Sequence, residues 1–255
     1  PPLEIARDTF AIRAVTPSVG GSFTALHAMV IAGPEPVIVD TGMTGSGARW
    51  FADVASVVAL EEVRWIFITH IDCDHAGNLA EAMARCPQAR LVTSRGESYR
   101  TAAALRIPFA RMEMVDHGQS WRVAGRDLVA WRPPVYDSPY TRGLFDPASG
   151  VYYAADAFCA PMPDRPVDWA GEIADGAWAD GMARFHHSSL TPWLSLVDPA
   201  KFRAEVDALA ALGITTIASA HSPPIGREDV ARALSIMAGL PGAVAALDRQ
   251  EASPA

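Results

Sequence analysis

Ile66-Phe67-Ile68-Thr69-His70-Ile71-Asp72-Cys73-Asp74-His75-Ala76-Gly77-Asn78 is an apolar run that ends in four possible metal ligands, two His and two Asp. The spacing is H-x-D-x-D-H. One short loop after a strand can aim such side chains at two neighbouring cations. Imidazole suits Zn, Fe, Ni or Cu, and carboxylate shifts preference toward harder ions such as Mn and Fe. The competing reading is a polar turn in which Asp72 or Asp74 caps the next helix. Turns seldom need two His and two Asp so close together, which favours the metal reading. Cys73, inside the motif, reads as a small buried filler pointing away from the metals.

Upstream, residues 23–31 and 37–39 are strand-like, with Gly33-Pro34 as the turn between them. Asp40-Thr41-Gly42 ends the second of these strands. Residues 48–60 have helical apolar spacing, and residues 63–69 form the buried strand that delivers the motif. A helix over 78–85 and a short strand over 91–93 follow. The second half repeats this order. Strands are expected over 128–131, over 151–155 ending in Asp156, and over 214–218 leading to His221. Helices are expected over 199–212 and 230–240, with a frayed tail after Pro241. Residues 164–193 read as a helical cap over a pocket, with Trp169, Trp178, Phe185, His186, His187 and Trp193. Strands followed by helices in both halves predict a layered α/β architecture.

The chain has 255 residues, 50% of them hydrophobic, enough for one large core, and a single domain over 1–255 is expected. A net charge of −8 argues against nucleic acid as a partner. Cys73, Cys86 and Cys159 are too few and too scattered for a disulfide framework. No apolar run of transmembrane length and no secretory leader is evident, so the expectation is a cytoplasmic protein without a membrane partner.

Asp137, Asp156 and His221 stand at further strand or turn ends, with 62, 18 and 64 residues between successive members counted from Asp74. Each has an ordinary alternative: a turn carboxylate for Asp137, a helix N-cap for Asp156, a surface side chain for His221. The ordered set resembles the metallo-β-lactamase superfamily. The resemblance includes Val39-Asp40-Thr41-Gly42, the Thr69 to Asn78 motif, Tyr153-Ala154-Ala155-Asp156 and Ser219-Ala220-His221. It implies a four-layer αββα sandwich, here with the helical cap at about 160–195. It also implies two divalent metal ions, Zn or else Fe or Mn. One would be held by His70, Asp72 and Asp137, the other by Asp74, His75 and His221, with Asp156 bridging. Asp40 would brace the motif loop without ligating.

Two departures fall on the same metal. Asp72 stands where the superfamily usually has His, and Asp137 stands where a His precedes a small residue and Pro. A carboxylate at the second motif position is similar to the flavodiiron and oxygen-binding diiron branch. That branch keeps a His at the position of Asp137, and no flavodoxin module or flavin is expected in this chain.

The superfamily as a whole implies a dinuclear hydrolase of a small-molecule ester, lactone, amide or related bond. Asp74 would orient a metal-bridging hydroxide. Tyr136, Tyr140, Phe158, His186, His187 and Trp193 are the candidates for the substrate pocket. The alternative is a diiron oxidoreductase or oxygen-binding protein related to the flavodiiron branch. A non-catalytic binding protein is disfavoured because the other ligand positions are filled. Edge strands and an apolar cap are compatible with a homodimer.

Overall fold

Val37, Ile38 and Val39 are all fully buried, although side chains alternate faces along a strand. Their strand must therefore be covered on both sides. In the computed structural model, which describes residues 1–18 and 21–251, Val37 and Val39 join one hydrophobic cluster and Ile38 another. The motif strand splits in the same way, with Phe67 facing the first cluster and Ile66 the second.

The N-terminal strands are β1 (Leu3–Ala6), β2 (Thr9–Ile12), β3 (Val15–Pro17), β4 (Phe23–Ala25), β5 (Ala28–Ile31), β6 (Val37–Val39), β7 (Trp65–Phe67), β8 (Arg90–Thr93) and β9 (Met112–Met114). The later strands are β10 (Ser120–Val123), β11 (Arg126–Trp131), β12 (Gly143–Asp146), β13 (Val151–Tyr153), β14 (Thr216–Ser219) and β15 (Ser222–Ile225). Among the described residues these form a seven-stranded sheet, β1-β2-β5-β6-β7-β8-β9, and a six-stranded sheet, β10-β11-β12-β13-β14-β15, with β3 and β4 as a separate pair. Strands β6 to β9 run parallel to one another, as do β13 and β14.

The cluster containing Val39 and Phe67 fills the space between the sheets, where Phe67 stacks on Trp121 with ring centroids 5.6 Å apart. The outer face of the first sheet is covered by α1 (Gly47–Ala55) and α2 (Leu79–Arg85), through Trp50, Phe51, Val54, Leu79 and Met83. Beyond them α3 (Arg95–Leu105) follows β8. The outer face of the second sheet is covered by α4 (Asp175–Phe185), α5 (Pro199–Ala210) and α6 (Val230–Glu251). The result is the expected αββα sandwich.

Several local expectations change. Residues 23–31 form two strands, β4 and β5, because the chain leaves the first at Leu26. The predicted strand over 214–218 lies instead at Thr216–Ser219. Ser222–Ile225 is a strand despite Pro223 and Pro224; β15 is a sheet edge, where a missing N–H costs no ladder bond. The tail after Pro241 is not frayed. Helix α6 continues to Glu251, and burial of Leu240, Pro241 and Val244 in the outer core offsets the interior proline. This 22-residue helix is also long and apolar enough, by length and composition, to cross a membrane, contrary to the expectation that no run qualifies. Its buried residues Met237, Leu240 and Val244 pack in the outer core beneath the second sheet.

The segment over 160–195 is mainly helical from Ala170 onward, whereas 160–169 carries bends and an isolated bridge from Met162 to Phe23. Trp178 and Met182 of α4 are wholly buried in the outer core. Phe185, the last residue of α4, lies over His221 with ring centroids 5.8 Å apart, and a π-helical turn at His186–Leu190 continues the helix.

Candidate metal centre

Strand β6 ends at Asp40 and β7 ends in Thr69-His70, side by side in the parallel part of the first sheet. Across the sandwich, β13 leads to Asp156 and β14 to His221. The strand ends of both sheets thus converge on one edge.

The chain turns sharply there, and Asp40, Ala155 and Phe158 take positive φ values of 57, 51 and 63°. For alanine and a bulky aromatic this conformation is costly, and such strain persists only where surrounding structure holds it. Gly77 has no room for a side chain. A Cβ there would fall on backbone atoms of Thr44, Cys73 and Gly42, so the motif loop packs directly against the chain that follows Asp40.

The ligand candidates form two groups joined by a third, His70, His75 and Asp156, which is wholly buried. His70, Asp72 and Asp137 bring one ligand atom each within 4.8 Å of one another, and so do Asp74, His75 and His221. His70 Nε2 lies 3.9 Å from both Asp72 and Asp137. His221 Nε2 lies 3.3 Å, and His75 Nε2 3.6 Å, from Asp74 Oδ2. Asp156 stands between the groups. Its Oδ2 is 3.4 Å from His70, and its Oδ1 is 2.8 Å from His75 and 3.1 Å from His221. Both oxygens are buried, and imidazole nitrogens of three histidines surround them. A buried carboxylate is strongly disfavoured unless cationic groups balance it. One oxygen faces each ligand group, which is the geometry a bridging carboxylate needs. The donor set therefore fits a dinuclear metal site.

The imidazoles are braced from behind. Asp40 is fully buried; its Oδ2 lies 2.7 Å from His75 Nδ1. It also accepts hydrogen bonds from the Thr69 N–H at 2.9 Å and from the Thr69 hydroxyl. His221 Nδ1 lies 3.0 Å from the Ala25 carbonyl, and His70 Nδ1 lies 3.1 Å from Thr69 Oγ1. In each ring Nε2 is left facing the cluster, as second-sphere partners of metal-bound histidines commonly arrange.

Charges are strongly coupled. Burial alone would raise the Asp156 carboxyl, but His75 and His70 outweigh it and hold the group well below the usual carboxylate range. Burial likewise opposes ionisation of Asp74, and contact with His221 and the charge of His75 bring it down to about 2. Burial would lower His221, yet Asp156 and Asp74 raise it to about 9. His75 is raised well above its ordinary value, against burial, by Asp156 and Asp40. Asp137 is raised, first by burial, with His70 opposing and Asp156 and Asp72 adding. Metal ions entering this cluster would replace protons on the imidazoles.

The helix-cap roles weighed for Asp72, Asp74 and Asp156 and the surface role weighed for His221 are not seen, while Asp137 does lie in a bend. Asn78, not Asp72 or Asp74, precedes α2, and its amide donates to the Thr41 carbonyl at 2.6 Å. Asp156 begins no helix. His221 is buried. Cys73 is exposed instead of buried, and its carbonyl accepts from Thr44 N at 2.8 Å.

The pocket candidates scatter. His186 is fully buried beside the cluster; its Nδ1 lies 3.0 Å from Thr191 Oγ1, its Nε2 has no partner, and burial lowers it to about 4. His187 turns away and pairs with Asp248 of α6 at 3.0 Å. Phe158 is wholly enclosed in the outer core and presents no pocket surface. Tyr136 and Trp193 face each other, ring centroids 6.3 Å apart, while Tyr140 is exposed and lies over Gly96.

Two residues near the cluster escaped the sequence reading. Glu97 is fully buried, with one oxygen unpartnered and the other 3.0 Å from Arg100, and burial raises its pKa, with Asp72 adding. Ser94-x-x-Glu97 reads as a capping box. Ser94 does accept from the Glu97 N–H at 3.3 Å, but the carboxylate turns to Arg100. His27 is buried, accepts from Ala14 N at 3.3 Å and is lowered to about 3 by burial, with Arg13 and His221 contributing. Only its place at the end of a strand could have drawn attention to it.

Comparison with known proteins agrees with this geometry. The type A flavoprotein fprA of Rhodobacter capsulatus is 28% identical over 207 residues, covering 78% of this chain and 45% of that protein. The anaerobic nitric oxide reductase flavorubredoxin of Salmonella arizonae is 22% identical over 177 residues, covering 69% of this chain and 37% of its own length. The chain thus spans less than half the length of these curated relatives. Rubredoxin oxygen:oxidoreductase from Desulfovibrio gigas superimposes with a TM-score of 0.80 at 15% identity, over 93% of this chain and 61% of that one. A flavoprotein, a nitric oxide reductase and an oxygen oxidoreductase are not hydrolases, and the expected hydrolysis of a small ester, lactone or amide is overturned. The motif that opened the reading lies within the stretch, residues 27–221, that matches the metallo-beta-lactamase superfamily, and the chain belongs to that superfamily.

Proposed function

We propose that this chain carries a non-haem dinuclear iron centre and reduces dioxygen or nitric oxide with electrons from a separate donor. In this reading His70, Asp72 and Asp137 hold one iron, Asp74, His75 and His221 hold the other, and Asp156 spans the two. The observation that carries it is the buried Asp156 carboxylate, turned with one oxygen toward each ligand group. The carboxylate at position 72 supports iron over zinc, since added anionic oxygen favours harder ions. The names of two relatives, a nitric oxide reductase and an oxygen oxidoreductase, supply the substrates.

Two irons, when bound, supply paired redox equivalents and open coordination positions for a small diatomic molecule. The rest falls to the chain. Asp40 and the Ala25 carbonyl orient His75 and His221. Phe185 covers His221 and excludes water on that side. His186, neutral and with Nε2 unpartnered, offers a hydrogen bond inside an otherwise apolar wall.

The test is gas consumption by iron-loaded protein reduced chemically without air. With a chemical reductant kept in excess as the donor, gas should be consumed beyond the rate of reductant alone, one dioxygen going to two waters for every four electrons, or two nitric oxides to one nitrous oxide and one water for every two. Protein that holds iron at both groups yet consumes neither gas would end the reductase reading.

A further inference from the structure

The two halves of the cluster are not equivalent. The first group has one imidazole and two carboxylates, and the second has two imidazoles and one carboxylate. Their surroundings differ as much as their chemistry. The Asp72 and Asp137 side chains are 48% and 32% exposed, whereas those of Asp74, His75 and His221 are 20%, 1% and 10% exposed. Both rings of the second group are locked from behind, His75 by Asp40 at 2.7 Å and His221 by the Ala25 carbonyl at 3.0 Å. In the first group His70 shares the Thr69 hydroxyl with Asp40 and His75. The ligand atoms are also farther apart, 3.9 Å for both carboxylates from His70.

We infer that the centre loads in a fixed order and with unequal ions. The braced pair of imidazoles at His75 and His221 captures the first iron, and the open carboxylate-rich group at His70, Asp72 and Asp137 takes the second ion and exchanges it for manganese.

Donor chemistry and preorganisation set this order. Imidazole suits iron, and carboxylate suits manganese. A preorganised site spends less free energy on ordering its ligands, so it fills first. Exposed carboxylates give up their ion more readily to water and to competing metals. The shared Asp156 links the halves, because an ion in the second group neutralises part of its charge and leaves the other oxygen to the first. Behind the first group lies Glu97, whose charge is taken up by Arg100, which also reaches Ser138 beside Asp137 at 3.2 Å.

This inference rests on the dinuclear reading above, and the experiment separates the two. Metal-free protein receives one equivalent of ferrous iron without air and then one equivalent of manganous ion. Crystals are measured by anomalous diffraction at both absorption edges. Iron beside Asp74, His75 and His221, with manganese beside His70, Asp72 and Asp137, is the expected result. Iron spread over both groups, or confined to the first, overturns the ordered loading while leaving a dinuclear centre in place. No ion at either group overturns both. Asp137→His provides a second readout: the added imidazole should shift the first group toward iron about 10-fold, the scale on which altered coordination surroundings change metal affinity.

Discussion

Asp156→Asn leaves the chain folded and strips the centre of both metals. The amide has the shape of the carboxylate but no charge, and it offers one acceptor oxygen where the bridge needs two. Both Asp156 oxygens are buried, one near His70 and the other between His75 and His221. Loss of this shared anion should weaken each half-site by more than about 100-fold, beyond the effect of losing an outer partner. Elemental analysis after desalting should fall from two ions per chain to almost none, with an unchanged far-ultraviolet circular dichroism spectrum. Retention of both ions would show that Asp156 does not bridge. Loss of one ion would assign it to a single group.

Asp40→Ala should produce the largest loss of stability. Its carboxylate is fully buried, accepts from the Thr69 backbone and hydroxyl, and braces His75. Removing it strands a buried N–H and an imidazole that the structure holds beside a carboxylate. The residue also sits at a φ of 57°, which aspartate tolerates better than alanine. Breaking a buried pair from one side costs about 3–5 kcal/mol. At this chain length that lowers Tm by about 10 °C in the metal-free protein. Metal affinity should fall about 10–100-fold as well, because His75 loses its orientation. Unchanged thermal unfolding and metal content would mean that Asp40 merely fills space at the end of β6.

What the sequence reveals about this protein follows from how local each signal is. The αββα sandwich is legible because β6 and β7 are short, wholly apolar and followed by helical spacing, which demands cover on both faces. The candidate ligands are legible because His70 to His75 cluster after one strand while Asp156 and His221 follow two others. Burial depends on distant partners and is harder to read. Glu97 looks like a helix cap until its neighbours are known. Phe158 looks like a pocket aromatic until the turn after Asp156 folds it into the core. His187 sits next to His186 in sequence but reaches Asp248, because both lie in the π-helical turn His186–Leu190, where neighbouring side chains leave the axis in different directions. The prolines at 223 and 224 conceal β15, whose edge position alone allows them.

The substrate class was least legible. A superfamily dominated by hydrolysis suggested water as the attacking group, while Asp72 pointed toward the iron branch. Local ligand chemistry was the better guide, and the relatives agree with it.

The central claim is a paired iron centre shared through Asp156. Metal-free protein loaded with ferrous iron alone, without air, and then analysed for bound metal tests it most directly, with the optical spectrum followed as air is admitted and reductant restored. Two irons per chain are expected, with near-ultraviolet bands that appear in air and bleach on reduction. Binding of fewer than two irons, or a spectrum indifferent to both air and reductant, would contradict the account.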